Sequence, residues 1–151
     1  MTREQTPRAA SEPGPSEVLR VMRDDGSVDA ALDPGLSGPE LVALYRDMVR
    51  TRILDERLLT LQRQGRIGFH VGSLGEEATI IGATHALRSQ DWIFPCYREV
   101  GAAMARGLSL QAFVDNVFGN ANDLVKGRQM PDHHTGRAVR FASTSSPVGT
   151  Q

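Results

Sequence analysis

Three groups of residues in this chain combine types and spacing that could bind and act on an anionic ligand. Tyr97-Arg98 follows the apolar link Asp91-Trp92-Ile93-Phe94-Pro95, His133 sits in a loop anchored by Pro131, and Ser145-Ser146 precedes Pro147. An arginine beside the amides of a helix start is a receptor for phosphate or carboxylate. Its guanidinium fork donates two parallel charge-assisted bonds, and the helix dipole favours the anion. The stretch from Lys126 to Gln151 holds two of these groups, together with Arg128, His134 and a run of Ser and Thr broken by Pro147 and Gly149. Such residues punctuate backbone and offer polar groups to a ligand, so they make poor core and good binding loops.

Each candidate also has a plainer reading. Arg98 followed by Glu99 fits a surface ion pair worth less than ~1 kcal/mol. His133 and His134 fit loop side chains capping backbone groups, and His70 and His85 fit loop and helix-surface positions. Glu76 and Glu77 suit a helix start without any catalytic task, and Phe69 suits a core. Other chemistries drop out. The chain has no Gly-x-Gly-x-x-Gly, no Walker motif and no serine-hydrolase signature, and its one cysteine and four histidines have no zinc-type spacing.

The elements that must position these residues are mostly helices. Ser37-Gly-Pro-Glu40 is a capping box with proline in the first turn. Leu41, Leu44, Tyr45, Met48, Leu54, Leu58 and Leu61 follow at helical spacing until Gly65. The opposite face, with Arg46, Asp47, Arg50, Arg52, Asp55, Glu56 and Arg57, reads as a solvated salt-bridged surface. A second helix runs from Gly75-Glu76-Glu77-Ala78 through Ile80, Ile81, Ala83, Ala86 and Leu87. A third is expected over 97–106 with Tyr97 and Arg98 in its first turn, a fourth over 109–118 ending at Gly119, and a short strand over 139–143. Before Ser37, Val18 to Val28 alternates around Asp-Asp-Gly-Ser as a small hairpin. Residues 1–17 have three prolines and little bulky apolar surface, which predicts a disordered arm.

Composition bounds the rest. A chain of 151 residues can close one core, burying roughly two thirds of its surface. With 17 basic and 18 acidic side chains the net charge is −1, which gives no electrostatic basis for a nucleic-acid or membrane partner. The single Cys96 excludes an internal disulfide framework and fits a reducing compartment. No apolar run approaches the roughly 20 residues of a membrane span, and the N-terminus lacks a secretory pattern. The expected location is the cytoplasm.

Taken in order, the words LYRDMVRTRILDER, QRQGRIGF, GEEA, DWIFPCYRE, GN with KGRQMPDHH, and SSPVGTQ resemble the N-terminal part of the alpha subunit of thiamine diphosphate-dependent 2-oxoacid dehydrogenases, the E1 component. The forms QRQGRI, KGRQMP and VLRVMRDDGSV are closer to the branched-chain enzymes, with the pyruvate enzymes as the alternative. The implied fold is α/β: the mostly helical N-terminal portion of a thiamine diphosphate-binding α/β/α fold, ending before most of the parallel sheet. Residues 18–36 would be a hairpin and linker, and 37–151 the first part of the cofactor domain.

The resemblance also implies roles. Tyr97 and Arg98 match the pair reaching the cofactor, with Arg98 on the diphosphate, and Ser146, Pro147 and Val148 match the segment against its aminopyrimidine. Phe69, Tyr97, Met130, Pro131, Asp132, His133 and Ser146 match the substrate channel, with His133 as the polar group near the reacting acid. Ser145, Pro147, Thr150 and Gln151 match a monovalent-cation site, with potassium as the candidate ion. His70, His134 and Val148 depart from the usual residues, and His70 and His134 are left out of the site on that ground. The implied reaction is decarboxylation of a branched 2-oxoacid and acyl transfer to lipoyl-bearing E2, in an assembly of two alpha and two beta subunits. The family's Gly-Asp-Gly magnesium motif is missing, so this chain by itself is expected to be inactive and to bind cofactor weakly or not at all. A truncated subunit, one half of a split enzyme, and a non-catalytic interaction module are the three readings of that gap.

Overall fold

The computed structural model describes residues 19–144, and the expected N-terminal arm lies outside them. The chain divides into two units, Met1–Leu36 and Ser37–Gln151. In the first, Met22 and Val28 pair as one antiparallel bridge across an Arg23–Ser27 turn. Gly26 takes φ +81°, and Asp25 accepts from the Ser27 amide and hydroxyl at 2.9 and 2.7 Å.

The second unit begins with α1 (Gly38–Arg63). Its capping box is closed: the Glu40 amide donates to Ser37 Oγ, and the Ser37 amide donates to Glu40 Oε2 at 2.8 Å. The helix ends at Gly65, φ +69°, where the amides of Gly65 and Arg66 donate to the carbonyls of Gln62 and Leu61. Only the C-terminal part of the apolar stripe expected from spacing is buried, and two polar residues join it. Thr51, Asp55, Leu58 and Leu61 are buried, while Leu41 and Tyr45 remain 52% and 68% exposed. The reason is the neighbour. α3 (Val100–Ala105) presents Gly101 to Thr51 so closely that a Cβ there would stand 3.1 Å from the Thr51 side chain.

Between them lies α2 (Glu77–Ala86), which buries Ile80, Ile81 and Thr84. The third helix is shorter than expected: Tyr97, Arg98 and Glu99 form a turn ahead of α3. Glu99 folds back so that its carboxylate accepts from the Cys96 amide at 2.8 Å, closing that turn before the helix starts. Then α4 (Leu110–Phe118) starts on Ser109, whose hydroxyl accepts from the Ala112 amide, and stops at Gly119 in the left-handed region, φ +58°.

The expected strand over 139–143 is replaced by a 3-10 turn (Arg137–Val139), Arg140 at φ +52°, and isolated bridges of Phe141 to Ile93 and Gly136. The Ile93 amide donates to the Arg140 carbonyl, and the Ala142 amide donates to the Ile93 carbonyl. The next ladder donor along that edge would be residue 95, a proline with no N–H, so the parallel pairing stops after one step. Among the described residues the architecture is therefore helical with isolated bridges. The core gathers Leu58, Ile80, Val100, Met104, Phe113, Val117 and Phe141.

Candidate functional site

The residues that converge do so on one extended segment, Phe69 to Ser73, which leaves α1 and runs back beside it. Asp55 on α1 is 1% exposed, so it does not belong to the solvated charge face to which its spacing assigned it. Its Oδ2 accepts from the Ser73 amide at 2.6 Å and the Ser73 hydroxyl at 2.8 Å, and its Oδ1 lies 3.2 Å from His70 Nε2. A Cβ at Gly72 would reach 3.2 Å from the same carboxylate, which is why a small residue stands there.

On its other edge His70 meets the 130–134 loop. His70 Nδ1 is 3.1 Å from Asp132 Oδ2, at ion-pair distance but oblique to the ring N–H direction. Asp132 Oδ2 also accepts from the Val71 amide at 2.9 Å, and Asp132 Oδ1 lies 3.2 Å from His134 Nε2. Asp132 adopts φ +67°, a left-handed conformation that Asp enters more readily than most residues. Its carboxylate therefore points inward to these partners. Behind it His134 stacks on Phe113 with ring centroids 4.0 Å apart, and the Thr144 amide and hydroxyl both donate to the His134 carbonyl.

Burial alone would lower the pKa of His70, but the bonds to Asp132 and Asp55 outweigh it and raise it to about 9. Burial would raise Asp132, and its bonds to His134 and His70 hold it instead below the ordinary 3.8. A pKa raised to about 9 favours a protonated His70 at neutral pH, set between Asp55 and Asp132. His70 and His134, both left out of the site on sequence grounds, are held together in this buried cluster with Asp55 and Asp132. The one available signal was Asp55, which falls at helical spacing between Thr51 and Leu58.

His133 is buried beside Phe69, ring centroids 6.2 Å apart, with Nδ1 3.1 Å from the Pro131 carbonyl. Met130 is 57% exposed at the loop's outer edge, and Pro131 is half-buried. From the turn before α3, Arg98 Nη1 donates to the Gly72 carbonyl at 2.6 Å, with its guanidinium carbon 5.4 Å from the Tyr97 ring centroid. The plain Arg98–Glu99 pair does not form, since Glu99 serves Cys96. Glu76 lies 4.0 Å from Arg98 Nε, an ion pair at the limit of contact and beyond hydrogen-bonding distance. Glu77 is taken by Arg52, whose Nη2 donates at 2.9 Å, and that bond lowers the Glu77 pKa. Ser145, Ser146, Pro147, Val148, Thr150 and Gln151 lie outside the described residues. Among the described residues no group of three His, Cys, Asp or Glu side chains could hold a metal ion.

The family of the chain follows from comparison with known proteins. The dehydrogenase E1 component family matches residues 45–151. The chain belongs to that family. It is 40% identical over 135 residues to the mitochondrial 2-oxoisovalerate dehydrogenase subunit alpha of Caenorhabditis elegans, covering 89% of this chain and 31% of that protein. The human subunit of the same name is 39% identical over 135 residues, 89% of this chain and 30% of the relative. Subunit alpha 2 of Arabidopsis thaliana is 40% identical over 133 residues, with 87% and 28% covered. The chain thus spans about 30% of the length of these E1 relatives.

These names correct the expected cytoplasmic location, because all three relatives are mitochondrial proteins. Balanced charge and a lone cysteine do not distinguish one such compartment from another. Among the described residues no helix is long and apolar enough to cross a membrane.

Proposed function

We propose that this chain supplies the alpha-subunit part of a branched-chain 2-oxoacid dehydrogenase E1 component, acting on a 2-oxoacid of the 2-oxoisovalerate type. The observation that carries this reading is the use of one segment by both halves of the site. Gly72 holds Arg98, while Phe69 and Val71 meet His133 and Asp132 of the neighbouring loop. An anion-binding arginine and a histidine-bearing apolar loop are thereby fixed to the same five residues. The pyruvate alternative is less well supported, since the relatives above are all named for 2-oxoisovalerate.

Thiamine diphosphate is the cofactor of this reading, and when bound it supplies the electron sink for decarboxylation. The donor set was tested against that group. Arg98 fits a diphosphate oxygen, because it is pinned at one nitrogen by Gly72 and no carboxylate lies within hydrogen-bonding distance. Tyr97 packs under it and restricts its rotamers. Phe69, Tyr97, Met130, Pro131, Asp132, the buried His133 and Ser146 would line the substrate side, with His133 orienting the substrate carboxylate or oxo group. Ser146, Pro147 and Val148 would lie against the aminopyrimidine, and Ser145, Pro147, Thr150 and Gln151 would hold a potassium ion. The reading assigns magnesium to ligands other than the described residues. The E1 beta subunit in an alpha2beta2 assembly and the lipoyl-bearing E2 complete it.

Isothermal titration tests it. Thiamine diphosphate with magnesium should bind weakly or not at all to the chain alone, and at micromolar affinity to its assembly with a beta subunit and the polypeptide that supplies the magnesium ligands. Arg98→Ala should weaken the assembly's binding about tenfold or more, the loss of a charge-assisted contact. Unchanged affinity in that variant would remove Arg98 from the cofactor site.

A further inference from the structure

The buried Asp55–His70–Asp132–His134 chain connects α1 to the loop that carries His133, and none of the roles above uses it. We propose that His70 is a positioning residue: it clamps the 130–134 loop to α1 through Asp55 and Asp132 and thereby sets the place and orientation of His133. The inference rests on the reading of that loop as the substrate side of the site.

Three observations support it. First, the contact is specific at both edges of the ring, 3.2 Å to Asp55 and 3.1 Å to Asp132, in a side chain wholly shielded from solvent. Second, Asp132 is the residue before His133 and sits at φ +67°, a conformation that costs energy and persists where its surroundings enforce it. The partners that enforce it are His70, the Val71 amide and His134. Third, Phe69, whose ring centroid lies 6.2 Å from that of His133, is the chain neighbour of His70, so the backbone held by His70 also carries Phe69 to the loop.

The ionisable groups touching His70 are Asp55 from α1 and Asp132 from the loop. His134 meets the other oxygen of Asp132, and Arg98 joins the segment two residues on, at Gly72. With the ring protonated, both carboxylates face a cation. Removing that proton leaves two buried anions on either side of a neutral ring, and the loop is then free to turn Asp132 outward. A histidine with its pKa raised to about 9 keeps the clamp closed at neutral pH.

The test uses the full chain labelled with nitrogen-15 and two-bond proton–nitrogen spectra of its histidine rings from pH 6 to 10. The ring signals of His133 should shift in step with the titration of His70. His133 signals that stay fixed while His70 titrates would overturn the proposal, and this arm needs no variant that must fold. In the second arm the chain is assembled with a beta subunit and the polypeptide that supplies the magnesium ligands, and assayed for decarboxylation of a branched 2-oxoacid. His70→Gln should lower kcat roughly 10- to 100-fold, the usual scale for a misplaced group. It should also abolish the alkaline fall in kcat that the wild type shows over the range of the His70 titration. A variant with the wild-type pH profile would overturn the positioning role. A wild-type assembly with no turnover would remove the proposed function instead, leaving the spectra to decide the clamp.

Discussion

Stability should fall with alkaline pH, and His70 sets both the window and the size of the effect. Its pKa is raised from 6.5 to about 9 in the fold, so the folded chain keeps a proton that the unfolded chain releases. The contribution is fully present below pH 6.5 and is lost as pH rises through about 9. Across that window each pH step removes about 1.4 kcal/mol, for a total of at most about 3 kcal/mol. This is a large share of the 5–15 kcal/mol that typically holds a domain together. Asp132 works in the opposite sense: its lowered pKa contributes stability above 3.8 that is lost as pH falls through the folded value, outside the His70 window. Urea unfolding followed by far-ultraviolet circular dichroism at pH 6.5, 7.5, 8.5 and 9.5, for wild type and His70→Gln, isolates the effect. The difference between the two proteins should shrink steadily towards pH 9.5. A constant difference would refute the charged clamp and leave His70 as ordinary packing.

Other perturbations follow from the packing. Phe113 is 0% exposed and stacks on His134, so Phe113→Ala should cost about 3–5 kcal/mol in urea unfolding and lower the protection of the Thr144 amide in hydrogen exchange. Gly101→Val places carbon 3.1 Å from Thr51 and should cost about 1–3 kcal/mol, with recovery when combined with Thr51→Ala. Ser37→Ala removes the cap acceptor of α1 and should cost about 1 kcal/mol by thermal melting. Leu41, Val42, Tyr45 and Ile53 on α1 are 52% to 68% exposed, so the chain alone should self-associate in light scattering, less so as Tyr45→Glu; a clean monomer would argue against this.

Much of the helical frame was legible in the sequence because its signals are local. Ser37 with Glu40, Gly65, Ser109 and Gly119 mark their helix ends by short-range capping and left-handed backbone, which require no knowledge of neighbours. Which family the chain belongs to was legible too, from words spread along its length. What failed were the start of the third helix and the expected strand. The third helix shortened because Glu99 capped Cys96, and the expected strand stopped because residue 95 has no amide hydrogen to offer.

The amino-acid order by itself determined the capping box that opens α1, the stop at Gly65, the bounds of α4 and the family of the chain. It placed Asp55 on a solvated face and Asp132 in the substrate channel, left His70 and His134 out of the site, and gave no sign that the four meet. Spacing predicts which side of a helix a residue occupies, but a buried charge is tolerated only where an opposite charge arrives from elsewhere. Here Asp132 arrives from 62 residues beyond His70, a meeting that only the tertiary structure decides.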